Sequence, residues 1–176
     1  MELRGLNDKQ LEAVKATEGK VRIIAGAGSG KTRGLAYRYA YLVDVLGIDP
    51  GNILCLTFTN KAAQEMRNRI NHLICGEHAS DFICTIHSFC VKFLREKIDA
   101  ATLQYIHNNC QEKTYELFKS NLVRQRKYLS LDFEDLIAFT LHILQNFPDV
   151  RAKWQRKMNY VMVDQVQDFA HSRQKN

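Results

Sequence analysis

The chain has 176 residues with 45% hydrophobic residues and only two prolines, enough for a full core and too few for long proline-rich linkers. No stretch approaches the ~20 unbroken apolar residues of a membrane helix, and residues 1–5 lack the apolar core of a signal peptide. A non-membrane, cytoplasmic protein is therefore expected. Lys and Arg number 25 against 19 Asp and Glu, a formal charge of +6, and such an excess favours a polyanionic partner, nucleic acid being the commonest. The basic clusters at 119–127 and 151–157 carry part of that charge, although either alone also reads as a solvated helix face.

In chain order, residues 6–17 read as a helix with Asn7 or Asp8 as its cap. Residues 21–25 form an apolar run expected to be a short buried strand. Gly26-Ala-Gly-Ser-Gly-Lys-Thr32 follows, and residues 33–46 carry apolar side chains at helical spacing, ending near Gly47. Residues 49–52 are a turn. A second buried strand is expected at 53–58 and a helix at 60–74, with Ala62, Ala63, Met66, Ile70 and Leu73 on one side. A third strand spans 82–86 and a helix 88–98. Residues 100–157 look helical almost throughout, and 160–163 form a fourth, very apolar strand.

This alternation predicts an α/β fold, a parallel sheet flanked by helices on both faces. The helical block between the third and fourth strands reads as an insertion. The expected organisation is a nucleotide-binding core over 1–95, a small helical insertion subdomain over 96–150 and a return to the core over 151–176. Ligands of such sheets bind at the carboxyl ends of the strands, so the informative residues are expected just after positions 25, 58, 86 and 163.

The first of these places has the context of a phosphate-binding loop: strand, glycine-rich turn, helix. Gly26, Gly28 and Gly30 leave no side chain between backbone N–H groups and an anion, and Ala27 and Ser29 complete the cradle. The following helix aims its positive end at the same phosphates. Lys31 reaches the β- and γ-phosphates, and the Thr32 hydroxyl takes a Mg²⁺ position. ATP with Mg²⁺ is the expected ligand. After the last strand, Asp164 is the candidate carboxylate for the same Mg²⁺. The next position calls for a Glu to activate water, and here it is Gln165, an amide without useful basicity.

After the second and third strands come Phe58-Thr-Asn60-Lys61 and Thr85-Ile-His87. Both place a ring beside small polar groups at a loop-to-helix junction, a combination that suits bases and phosphates. The five cysteines include no CxxC pair and fit reduced thiols. Cys75, His78, Cys84, His87 and Cys90 fall close together, but Cys84 and Cys90 belong to an expected strand and helix, which disfavours a zinc site.

Together these motifs resemble the UvrD/Rep/PcrA-type superfamily I DNA helicases. Leu6-Asn-Asp-Lys-Gln10 is similar to the adenine-reading Q motif, and residues 25–33 (AGAGSGKTR) to the Walker A loop with its trailing Arg33. Residues 57–66 (TFTNKAAQEM) and 85–90 (TIHSFC) resemble DNA-contact motifs. Residues 131–136 (LDFEDL) resemble a segment beyond the inserted subdomain, and 161–168 (VMVDQVQD) the Walker B strand, which in the family continues DExxQD. The resemblance implies the first RecA-like domain of a P-loop NTPase. It implies Gln10 on the adenine edge, Arg33 near base or phosphates, and Gln167 as a γ-phosphate sensor. It also implies Phe58, Asn60, Lys61, Thr85 and His87 on single-stranded DNA.

Three departures shape the functional expectation. Gln165 replaces the catalytic Glu, which implies ATP binding with hydrolysis reduced by about 10² or more on general-base grounds. A second RecA-like domain, which in the family supplies the arginine finger and half of the cleft, is missing from this chain. The insertion is short for the family. The expected protein is thus an ATP- and single-stranded-DNA-binding N-terminal portion of such a helicase, hydrolysis-deficient alone, with dimerisation through an exposed sheet edge as one possibility. The alternative is a stand-alone, catalytically inactive nucleotide- or DNA-binding regulatory module. A metabolic P-loop kinase has no reason to carry the 57–66 and 85–90 motifs.

Overall fold

Why these segments take these shapes begins at their ends, seen in a computed structural model that describes residues 3, 5–26, 28–74, 80–97 and 133–165. Helix α1 (Asp8–Lys15) starts because Asn7 closes a reciprocal capping box: its side chain accepts from the Gln10 N–H and its own N–H donates to the Gln10 side chain. Helix α2 (Lys31–Asp44) starts at Gly30, which sits at φ 84° and contributes no capping side chain. A 3₁₀ turn (Pro50–Asn52) is braced by the Asp49 carboxylate on the Gly51 N–H and leads into strand β1 (Ile53–Thr57). Thr59 caps helix α3 (Asn60–Leu73) by accepting from the Ala62 N–H. Strand β2 (Ile83–Thr85), helices α4 (Ile86–Lys97), α5 (Phe133–Asn146) and α6 (Pro148–Lys157), and strand β3 (Tyr160–Val163) follow.

The chain divides into two compact units, Met1–Thr85 with Gln155–Asn176, and Ile86–Trp154. The first contains a three-stranded sheet in the order β2-β1-β3, parallel throughout. Cys55 lies opposite Ile83 on one side and Met162 on the other, so the ladder on both edges of β1 is used. All five β1 residues are buried. Ile53, Cys55, Ile83 and Met162 meet Leu35, Ala36, Tyr39, Ala40 and Leu42 of α2 and Met66 and Ile70 of α3 in one apolar core. The Tyr39 hydroxyl inside it accepts from the Ser80 N–H at 3.2 Å. Arg67 ties α3 to β2 through two donors on the Ile83 carbonyl, at 3.1 and 2.6 Å. Burial pushes the Cys55 thiol up to about 12, with nearby Asp164 and Cys84 adding to the shift, and burial likewise takes Tyr39 to about 12. Cys55, Cys84 and Cys90 are free thiols and buried.

In the second unit α4 packs on α5, and Phe89, Phe93 and Trp154 form an aromatic cluster with ring centroids 5.1–6.2 Å apart. Burial raises the Cys90 thiol.

Several expected elements differ. Residues 21–25 are not a strand: they have no ladder partner among the described residues, and Val21, Ile23 and Ile24 are exposed, Ile24 at 83%. The run is apolar enough, but a strand also needs a partner edge brought into register, and residues 21–25 do not join the β2-β1-β3 sheet. α4 begins at Ile86, two residues before the expected helix, directly from the end of β2. The expected helical stretch is broken at Phe147, because Pro148 disfavours helical geometry in the residue before it and is itself suited to a first helical turn. Residues 98–132 lie outside the described residues, as do Ala27, Cys75, His78 and Gln167.

Candidate nucleotide-binding site

The site is assembled by three short segments of the first unit: the start of α1, the loop before α2, and the end of β3. Gly28 and Gly30 hold φ at 74° and 84°, values that side chains rarely adopt, so the loop can wind tightly with its amides free of Cβ atoms. A Cβ on Gly30 would lie 2.9 Å from Gln10 Nε2. The loop is stitched internally: Ser29 Oγ donates to the Gly26 carbonyl at 2.7 Å. Lys31 Nζ donates to the carbonyls of Ala25 and Gly26, both at 2.7 Å. The lysine expected to reach phosphates thus neutralises the loop's own carbonyl oxygens, and an anion would have to draw it away from them.

Asp164 is placed by the sheet. Its N–H donates to the Leu56 carbonyl at 2.9 Å, extending the β1–β3 ladder by one residue, and it is buried. Its Oδ2 accepts from Thr32 Oγ1 at 3.0 Å across 132 residues of sequence. A hydroxyl and a carboxylate brought together are a hard-oxygen donor pair of the kind Mg²⁺ prefers, so these residues fit the expected ion. Gln165, next in the chain, is exposed at φ 56°, a left-handed conformation that costs a non-glycine residue about 1–2 kcal/mol. Uncommon backbone of this kind is often found at functional sites.

Gln10 reaches the loop rather than open solvent. Its Oε1 accepts from the Asn7 N–H at 3.1 Å, and its Nε2 donates to the Ser29 carbonyl at 3.1 Å. One Nε2 hydrogen remains for a base edge. The Arg33 guanidinium lies over the Tyr37 ring, 5.5 Å from its centroid. The sequence reading did not pick out Tyr37, Asn7's tie to Gln10, or Arg38. The first follows from i, i+4 spacing on a helix and the second from the Asn-x-x-Gln capping pattern, whereas Arg38 carries no local signal.

The residues expected on DNA lie at the carboxyl ends of β1 and β2. Phe58 is exposed at 47%, and Asn60 and Lys61 are exposed in the first turn of α3. Thr57 is buried and donates to the Thr59 carbonyl at 3.1 Å, fixing that turn. Thr85 is buried at the end of β2, and His87, half-buried, is in the first turn of α4 in the second unit.

A parallel α/β sheet with a glycine loop on a helix N-terminus and a carboxylate ending a neighbouring strand defines a RecA-like, P-loop class of protein. Comparison with known families narrows this: the model of the UvrD/REP helicase N-terminal domain matches residues 6–125 and 99–175, and the chain belongs to that family. It is 36% identical to the ATP-dependent DNA helicase PcrA of Bacillus subtilis (strain 168) over 94% of this chain and 30% of that protein. It is 34% identical to the ATP-dependent DNA helicase PcrA of Leuconostoc citreum over 93% of this chain and 29% of the relative. The chain therefore spans about three tenths of the length of these relatives. The Leuconostoc alignment runs over 218 residues, more than the 176 present here, so that relative has residues within the matched span that this chain lacks.

Proposed function

We propose that this chain binds Mg²⁺-ATP and single-stranded DNA as the N-terminal portion of an ATP-dependent DNA helicase, and turns ATP over poorly by itself. The observation that carries the reading is the Thr32–Asp164 hydrogen bond, which brings the end of the phosphate loop to the carboxylate that ends β3. Gly28, Ser29, Gly30, Lys31, Thr32 and Arg33, with Ala27 and Gln10, are the nucleotide contacts in this reading. Thr32 and Asp164 would hold Mg²⁺, which would supply neutralisation of the triphosphate charge. Lys31 exchanges its loop carbonyls for phosphate oxygens. Gln165 stands where a base would take the proton from water and cannot accept it usefully, so turnover stays low; Gln167 is the γ-phosphate sensor.

The core comprises residues 1–95 and 151–176, and 96–150 form the inserted subdomain. Phe58, Asn60, Lys61, Thr85 and His87 contact single-stranded DNA: rings stack on bases and the α3 N-terminus with Lys61 takes phosphates. A second RecA-like domain completes the cleft. Alternatively, the outer edge of β3, unpaired among the described residues and bearing the exposed Val161, supports pairing with a second copy. The cellular setting in this reading is cytoplasmic, with DNA repair, replication restart and plasmid maintenance all compatible pathways.

The test is a Mg²⁺-dependent titration with a fluorescent ATP analogue, with Lys31→Ala as control. Saturable binding that the mutant loses supports the reading; equal binding by the mutant, or none by either, refutes it. Gln165→Glu alone is expected not to give fast hydrolysis, and robust turnover by that variant would show that the second domain is dispensable.

A further inference from the structure

The most unusual side chain in the first unit is Arg38. It is 8% exposed, in the middle of α2, and burial lowers its pKa. Among the described residues it has no carboxylate partner, and Tyr160 offsets part of the burial. A buried guanidinium is costly, and an apolar side chain of similar volume would commonly pack as well. What Arg38 does instead is specific: Nη1 donates to the Ala13 carbonyl at 2.6 Å.

Ala13 lies in the last turn of α1, where carbonyls have no partner within the helix. The Thr17 N–H, which would continue the helix onto Ala13, bonds Lys15 instead. A cation at this end also suits the helix dipole. Arg38 therefore caps α1 from a neighbouring helix and fixes how α1 lies on α2. The opposite end of α1 bears Gln10, locked by the Asn7 capping box and bonded to the Ser29 carbonyl. A trans peptide is planar, with C=O and N–H pointing opposite ways. Holding the Ser29 carbonyl from the α1 side thus aims the Gly30 N–H away from α1.

We propose that Arg38 is a positioning residue for the phosphate loop: by capping α1 at Ala13 it keeps Gln10 on the Ser29 carbonyl and so sets the direction of the Gly30 N–H. This rests on the reading of the loop as a triphosphate site. It assigns α1 a role that does not depend on the base, because the peptide being oriented serves phosphate.

The experiment compares the wild-type chain, Arg38→Met, Gln10→Ala and the double variant, each titrated with Mg²⁺-ATP and with Mg²⁺-tripolyphosphate. Arg38→Met is expected to weaken both ligands about tenfold, the size of one lost charged hydrogen bond. Gln10→Ala is expected to add less than about twofold in the Arg38→Met background, because the two act as one unit. Arg38→Lys, which keeps a donor, is expected to recover most of the loss. Independent, multiplying effects, or weakening confined to ATP with tripolyphosphate unchanged, would overturn the proposal. If Arg38→Met does not fold, the same cycle with Arg38→Gln, which keeps a polar head but loses the charge and the reach to the Ala13 carbonyl, decides by the same criterion of non-additivity. Absence of binding by the wild-type chain would refute the triphosphate reading alone. The clamp is then judged by amide hydrogen exchange: Arg38→Met must speed exchange at Leu11 and Ala16 about tenfold or more with β1 unchanged, and unaltered exchange there overturns it.

Discussion

Two segments of this chain share one sequence grammar, an apolar run, a turn and a helix, and have opposite energetics. Residues 53–57, the turn at 58–59 and α3 are saturated: β1 is paired along both edges and buried at every position, and Thr59 supplies a side-chain cap. Residues 21–25, the loop at 26–30 and α2 are not. The apolar run is exposed and unpaired among the described residues, the helix opens on a glycine without a capping side chain, and Lys31 is bonded to the loop's own carbonyls. One segment spends its polar groups on the fold, whereas the other holds them in exposed bonds within the loop that an anion can displace. A ligand site is built from the second kind of segment.

The same residue type tests the contrast most sharply. Ile53→Ala removes a fully buried side chain from the core and is expected to cost about 2–5 kcal/mol in urea unfolding. A loss below 1 kcal/mol would show that β1 is not the anchor of the sheet.

The next test is alkaline pH. Cys55 is raised from 9.0 to about 12 and Tyr39 from 10.0 to about 12, so in both cases the folded state favours the protonated form. Their contribution is complete below the unfolded values and is lost as pH rises through 9 and 10 toward 12. The urea midpoint is expected to fall over that window, and less steeply in Cys55→Ala compared with its own value at pH 8. A flat profile would mean that the β1 core admits water.

The helix ends give a smaller effect. Thr59→Ala is expected to destabilise by about 1 kcal/mol through loss of the bond to the Ala62 N–H, and thermal unfolding measures it. Smallest of all is Ile24→Ala, the counterpart of Ile53→Ala: at 83% exposure it is expected to stay within about 0.5 kcal/mol of wild type. A large loss there would place residues 21–25 in a packed strand and erase the contrast.

Much of this was legible from the chain. The β3 bounds at 160–163, the start of α3 at Asn60, the loop with its glycines at 28 and 30, and the carboxylate at 164 all follow from local patterns: unbroken apolar runs, cap residues and glycine spacing. The α/β architecture follows from their alternation. The break at Phe147 is also written locally, in Pro148, although the helical pattern on either side masks it.

Other features had no local signature. Arg38 reads as an ordinary helix-surface cation and is buried where it meets the Ala13 carbonyl of α1, 25 residues away. Tyr39 meets Ser80 41 residues away, and Thr32 meets Asp164 132 residues away.

The sequence by itself determined which segments are apolar, where helices start and where the backbone can turn, because those depend on a few neighbouring residues. Only the tertiary structure decided which apolar run became a strand. A strand forms only where the rest of the fold brings a partner edge into register: β1 is flanked by β2 and β3, whereas residues 21–25 have no ladder partner among the described residues.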